Sequence, residues 1–225
     1  MTDQQIRAAH LHSEKLKGLY AITDEQLISE EHFSQTIELA LQGGARIIQY
    51  RDKSNNQQKR LQQAGDLRSL CEHYQATFIV NDDIELARSV SADGVHLGKD
   101  DASILKARLA LGNNAIIGVS CYNNIKLALE AEKNSATYVA FGAIFSSPTK
   151  SNAVVAGLEI ISKAKQQLSI PVCTIGGITD ENIQQVIQHG ADMTAVISNL
   201  FSTDNVKHSA KELSQQFGIE HDVLS

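Results

Sequence analysis

Ile47-Ile48-Gln49-Tyr50-Arg51-Asp52-Lys53 begins as an apolar run and closes on polar residues. In a strand, residues two apart point to the same side. Gln49, Arg51 and Lys53 therefore leave one face in a row, an amide followed by two cations. Such a row suits an anion rich in oxygens, because arginine binds it as a planar fork and lysine as a point charge. The same form, a short apolar run that turns polar and leads into a helical pattern, recurs along the chain. That recurrence decides the fold.

Upstream, Gly18-Leu19-Tyr20-Ala21-Ile22 ends at Thr23-Asp24, and Phe33, Ile37, Ala40 and Leu41 keep helical spacing until Gly43-Gly44. Downstream, the second helix carries Leu61, Ala64, Leu67, Cys71 and Tyr74. Further strands are expected at 77–80, 94–97, 115–119, 138–145, 171–175 and 193–197, each followed by a helical segment. Ala45-Arg46, Ala92-Asp93, Ala136-Thr137 and Ala191-Asp192 each stand just before an apolar strand, an internal echo at about two βα units. Alternating strands and helices predict a parallel sheet. At this length the natural closure is a single (β/α)₈ TIM barrel over residues 17–225, with an open doubly wound sheet as the alternative. Residues 1–16 read as an N-terminal arm or short helix packed on the outside.

The chain has 225 residues, 42% of them apolar, enough to fill the core of one large domain. Its net charge of −6 argues against nucleic acid as partner, so a phosphorylated ligand must be held by local cations. Cys71, Cys121 and Cys173 are widely spaced and odd in number, and they read as reduced packing thiols. No apolar run approaches the roughly 18 residues of a membrane span, so a cytoplasmic protein without a membrane partner is expected. Assembly into a homo-oligomer is compatible with everything above.

In such barrels the chemistry sits at the C-terminal ends of the strands. Asp82 and Asp101 follow adjacent strands, and Mg2+ is commonly held by one or two carboxylates plus phosphate oxygens. Asp82 also suits the N-cap of the helix that follows it. Gly176-Gly177 after strand seven and Ser198 after strand eight form the usual phosphate cradle of this architecture. Ser147-Pro148-Thr149-Lys150 adds hydroxyls and a cation on the longest candidate loop. The rim thus offers two anion sites, which suits two phosphorylated small-molecule substrates and a transfer between them.

Taken in order, these pieces resemble the thiamine phosphate synthase family. They are Gln49-x-Arg51-x-Lys53, Asn81-Asp82, Gly94-Val95-His96-Leu97-Gly98 with Asp101, Gly118-Val119-Ser120, Ser147-x-Thr149-Lys150, Ile175-Gly176-Gly177-Ile178 and Ile197-Ser198. The resemblance implies an enzyme that joins a hydroxymethylpyrimidine diphosphate to a thiazole phosphate, giving thiamine phosphate and pyrophosphate with Mg2+ as cofactor. It implies that Gln49, Arg51, Lys53, Asn81 and Lys150 hold the pyrimidine diphosphate and that Ser120 faces the pyrimidine. Arg51, Lys53 and Lys150 would stabilise the leaving group. Asp82 and Asp101 would hold the metal, and Ser147, Thr149, Gly177, Ile197 and Ser198 the thiazole phosphate. Departures from the family pattern are Ser147 for Thr, Lys99 for Gln, Ala143 for Pro, and Cys121-Tyr122 after Ser120; none removes an implied ligand.

Two rival readings stand beside this one. A thiazole phosphate tautomerase of the related branch would need an acid or base, for which His96 is the best candidate. A non-catalytic barrel that binds a phosphorylated ligand would need no metal site of this kind.

Overall fold

A computed structural model describes residues 14–98, 101, 103–146 and 155–218. Eight parallel strands close into a barrel in sequence order. They are β1 (Gly18–Ile22), β2 (Ile47–Tyr50), β3 (Thr77–Asn81), β4 (Gly94–Leu97), β5 (Ile116–Tyr122), β6 (Tyr138–Gly142), β7 (Val172–Ile175) and β8 (Met193–Val196). Helices α1 (Phe33–Gln42), α2 (Gln57–His73), α3 (Ile84–Ser89), α4 (Ile104–Leu111), α5 (Ile125–Lys133), α6 (Glu159–Gln167) and α7 (Ile183–Gln188) alternate with them. After β8 come the single turn α8 (Ser198–Phe201) and the closing helix α9 (Val206–Gln215). Pairing of β1 with β8 closes the ring and excludes the open sheet.

The two-residue period of the strands sorts the core into two sets. Ile48, Phe78, Val80, Val95, Ile117 and Val139 face outward onto the helices. Tyr20, Ile47, Ile79, Ile116, Tyr138, Cys173 and Met193 point into the barrel. Leu16 belongs to the inner set and is fully buried, so this part of the arm is not on the outside as expected. The sequence echo has a conformational cause. Gly44, Ser91, Ser135 and Gly190 take positive φ, and each next alanine donates its N–H to a carbonyl five residues back. This is the left-handed helix stop, and Gln75-Ala76 adds a fifth example. The residue after alanine then anchors a strand start. Asp93 accepts from Phe78 N at 2.8 Å, Thr137 from Ile117 N at 3.0 Å and Asp192 from Val172 N at 2.7 Å.

The expectations on Leu61 and on the ends of β5 and β6 need correction. Leu61 is half exposed, while Gln63 is buried and accepts from Tyr50 Oη at 3.0 Å. Leu105 and Leu109 are exposed on α4, whose Arg108 instead donates to the carbonyls of Gly112, Asn113, Ala115 and Ser135. β6 ends at Gly142 rather than 145: Ile144 N and Phe145 N bond to Ile175 O and Gly176 O, past the regular ladder. Conversely, β5 runs on through Ser120 to Tyr122, with a register shift after Ser120.

Candidate active site

The strand ends of β1 and β2 are locked reciprocally. Thr23 Oγ1 accepts from Arg51 N at 2.8 Å and donates to Arg51 O at 3.0 Å. This fixes the backbone from which Arg51 departs, and its guanidinium lies 4.0 Å from both Asp24 and Glu25. Gln49 is buried inside the barrel. Both Gln49 and Arg51 line a cavity of about 340 Å³, together with Tyr20, Asn81, His96 and Ser120. Lys53, already off the strand, reaches across to an ion pair with Asp82.

Asp82 is free for this role because Asp83, not Asp82, caps α3. Asp83 Oδ1 accepts from Leu86 N at 2.9 Å, and Oδ2 pairs with Arg60 at 2.7 Å. Asp82 itself takes φ +61, with its N–H on His96 O at 2.8 Å. Its carboxylate receives Asn81 Nδ2 at 2.6 Å as well as Lys53. Asp101 accepts from Gly98 N at 2.6 Å. The Asp82 carboxyl beside it holds the Asp101 carboxyl above the usual range, and partial burial adds to the effect. Two convergent carboxylates of this kind are stabilised by a cation. Among the described residues no group of three or more His, Cys, Asp or Glu forms a metal cage. The donor set therefore fits a hard divalent ion whose shell is completed by ligand oxygens.

Across the rim lies a second cavity of about 680 Å³, lined by Ser146, Gly176, Gly177, Ile197 and Ser198 among others. Gly177 has φ +66, and a Cβ there would stand 2.7 Å from Ser146 O, so backbone amides can approach a ligand closely. Asn182 Nδ2 holds the Gly177 carbonyl at 2.9 Å. Ile175, Ala195, Ile197 and Ser198 border both cavities and form a largely apolar wall between them. Ser147, Thr149, Lys150 and Lys99 lie outside the described residues.

Sequence reasoning singles out Gln49, His96 and Ser120 but does not show that Tyr20 and Tyr138 join them. Gln49 Nε2 donates to Tyr20 Oη at 2.7 Å, and Tyr20 Oη is 2.8 Å from Tyr138 Oη. Tyr138 Oη is 2.8 Å from His96 Nδ1, and His96 Nε2 is 2.8 Å from Ser120 Oγ. The tyrosines looked like ordinary apolar filling. The one signal was Gly118, where a Cβ would come within 2.1 Å of the Tyr138 ring. Nor does the sequence signal that the closing helix α9 brings His208, Ser209 and Glu212 to the second cavity.

Burial pushes the His96 imidazole down to about 4, against a small opposing effect of Asp101. With both nitrogens engaged and so weak a basicity, it is poorly suited to the general-base role of the tautomerase reading. The unfolded chain takes up a proton near pH 6.5, which the native state refuses until about pH 4. Stability from this group is thus fully present above pH 6.5 and is lost as pH falls through that window, by about 3 kcal/mol in all. Urea unfolding at pH 7 and pH 4.5 should show this slope in the wild type and lack it in His96→Asn. Equal slopes would overturn the assignment.

The family profile described as Thiamine monophosphate synthase matches residues 19–200. A relative from Nitrosococcus oceani named thiamine-phosphate synthase is 46% identical over 205 residues, 91% of this chain and 94% of its own. One of the same name from Thioalkalivibrio sulfidiphilus is 48% identical over 206 residues, 92% of this chain and 98% of its own. A solved thiamine phosphate pyrophosphorylase from Pyrococcus furiosus superposes with a TM-score of 0.84 at 38% identity, covering 95% of this chain and 99% of that one.

Proposed function

Because the chain belongs to the thiamine monophosphate synthase family, we propose that it transfers a pyrimidinylmethyl group from its diphosphate to the nitrogen of a thiazole phosphate. The products are thiamine phosphate and pyrophosphate. The observation that carries this reading is the pair of adjoining cavities, one bordered by Arg51 and Gln49 and one by a glycine cradle, with a shared wall between them.

The pyrimidine diphosphate occupies the first cavity. Gln49, Asn81 and Ser120 take the ring side, and Arg51 and Lys53, joined by Lys150, take the diphosphate. Asp82 and Asp101 would hold Mg2+; when bound, the ion neutralises charge on the diphosphate oxygens. A metal requirement is general to the family. The methylene–oxygen bond breaks with its electron pair leaving on pyrophosphate. The thiazole nitrogen lone pair then forms the new carbon–nitrogen bond. That nitrogen carries no proton to lose, so no general base is needed, and the aminopyrimidine stabilises the cationic methylene. The protein's share is orientation and stabilisation of the departing charge. Gly177, Ile197 and Ser198, with Ser147 and Thr149, hold the thiazole phosphate in the second cavity.

Residues 1–16 are proposed to be an arm attached to a barrel of residues 17–225, and the enzyme to act in the cytoplasm. Among the described residues no helix is long and apolar enough to cross a membrane. The decisive experiment incubates the purified protein with both substrates and Mg2+. Stoichiometric pyrophosphate and a thiamine phosphate mass are expected; absence of both rejects the transferase, and a rearranged thiazole without pyrophosphate would favour the tautomerase.

A further inference from the structure

Five side chains from five strands form one continuous chain through the barrel, from Gln49 on β2 through Tyr20, Tyr138 and His96 to Ser120 on β5. Gln49, Tyr20, His96 and Ser120 line the first cavity, whereas Tyr138 lies behind them, and both tyrosines are almost wholly buried. The fold makes room for it. Gly118 leaves the slot that the Tyr138 ring fills, and that ring stands edge-on to Tyr20 with centroids 6.2 Å apart.

Protons can be assigned by counting. Gln49 Nε2 donates to Tyr20 Oη, so the Tyr20 proton goes to Tyr138 and the Tyr138 proton to His96 Nδ1. His96 then carries its proton on Nε2 and gives it to Ser120 Oγ, which leaves the Ser120 proton for a ligand. Gln49 is left with its carbonyl oxygen as an acceptor. If the order is reversed while the Gln49 amide stays put, Tyr20 accepts from both sides and its own buried proton has no acceptor, a costly arrangement. A reversed chain is satisfied only if the amide also turns over, so that Gln49 offers N–H and Ser120 offers a lone pair. In both orders one end donates to the cavity and the other accepts.

We propose that Tyr20, Tyr138 and His96 are positioning residues that tie the hydrogen-bonding roles of Gln49 and Ser120 together and thereby select an aminopyrimidine over an oxopyrimidine. The inference rests on the transferase reading for its ligand. An aminopyrimidine brings an N–H to Gln49 and its N1, the ring nitrogen opposite the amino-bearing carbon, to Ser120, and the forward order satisfies both. A 4-oxopyrimidine in its common tautomer carries its proton on N3 beside the carbonyl, so O4 and N1 bring an acceptor to each end. No order of the intact chain can donate at both, so a buried pair is left unmatched. A break in the middle frees the two ends to donate independently.

The test is calorimetric binding of the 4-amino- and 4-oxopyrimidine diphosphates to wild type, Tyr138→Phe and Tyr20→Phe, with pyrophosphate as control. It needs no turnover. The wild type should prefer the amino ligand by at least about tenfold. Both variants should lose most of that preference through better binding of the oxo ligand, with pyrophosphate binding unchanged. A purely structural role would weaken both pyrimidines alike and keep their ratio, and that result, or a wild type without preference, overturns the proposal. Nitrogen-15 NMR of the ligand-free wild type supplies a readout without any variant: His96 protonated on Nε2 is expected, and the Nδ1 form contradicts the assigned order. A wild type that shows the preference yet makes no thiamine phosphate would reject the transferase and leave the selection standing.

Discussion

Asp82→Asn is expected to lower kcat by about 10²–10³-fold, the usual cost of losing one group that stabilises transition-state charge. Asparagine is chosen because Asp82 has φ +61, a region that asparagine tolerates and alanine resists. The backbone bond from residue 82 to His96 O should persist, and the melting temperature should stay close to that of the wild type. What disappears is the negative charge that faces Asp101 and pairs with Lys53. Pyrophosphate release followed over a magnesium titration reads the effect: maximal rate should fall, and the ion concentration needed for half-maximal rate should rise. Wild-type rates and metal dependence in the variant would remove the carboxylate pair from the mechanism.

Gly177→Ala should strike the other substrate. A left-handed conformation costs an ordinary residue about 1–2 kcal/mol. The added Cβ would also stand 2.7 Å from Ser146 O and 2.8 Å from Phe145 O, neither of which is a flexible side-chain end. The cradle must open to relieve this. At about 1.4 kcal/mol per decade, KM for the thiazole phosphate should rise roughly ten- to a hundredfold. Gln49, Asn81 and Ser120, proposed to bind the pyrimidine ring, lie on β2, β3 and β5, so the KM for the pyrimidine diphosphate should change less. Equal increases for both substrates would mean that the loop supports the whole rim rather than one phosphate.

Why some of this was readable in the sequence and some was not follows from the range of each signal. The eight strands were legible because outward residues such as Ile48 and Phe78 must be apolar to meet helices, which leaves a periodic trace. The alanine echo was legible for the same local reason: a left-handed helix stop occupies consecutive residues. Asp82 was ambiguous because cap and ligand use the same side chain; the positions of Asp83 and Arg60 resolve it. The exposure of Leu105 and Leu109 depends on how α4 sits over the barrel, where Arg108 makes contacts up to 27 residues distant. Least legible was the Tyr20–Tyr138 contact, 118 residues apart in sequence. Nothing in either strand says that the two hydroxyls meet, since a buried tyrosine scans like any other aromatic.

The wall shared by the two cavities bears on fidelity. An electrophilic methylene freed beside this wall would meet Ile175, Ala195 and Ile197, which have no lone pairs to offer, with the Ser198 hydroxyl at their side. Hydrolysis and transfer compete for the same carbon, so the greasy partition sets the yield of each turnover: how many pyrimidine diphosphates become vitamin precursor and how many are spent as alcohol. Selection on this wall would act through waste rather than through speed.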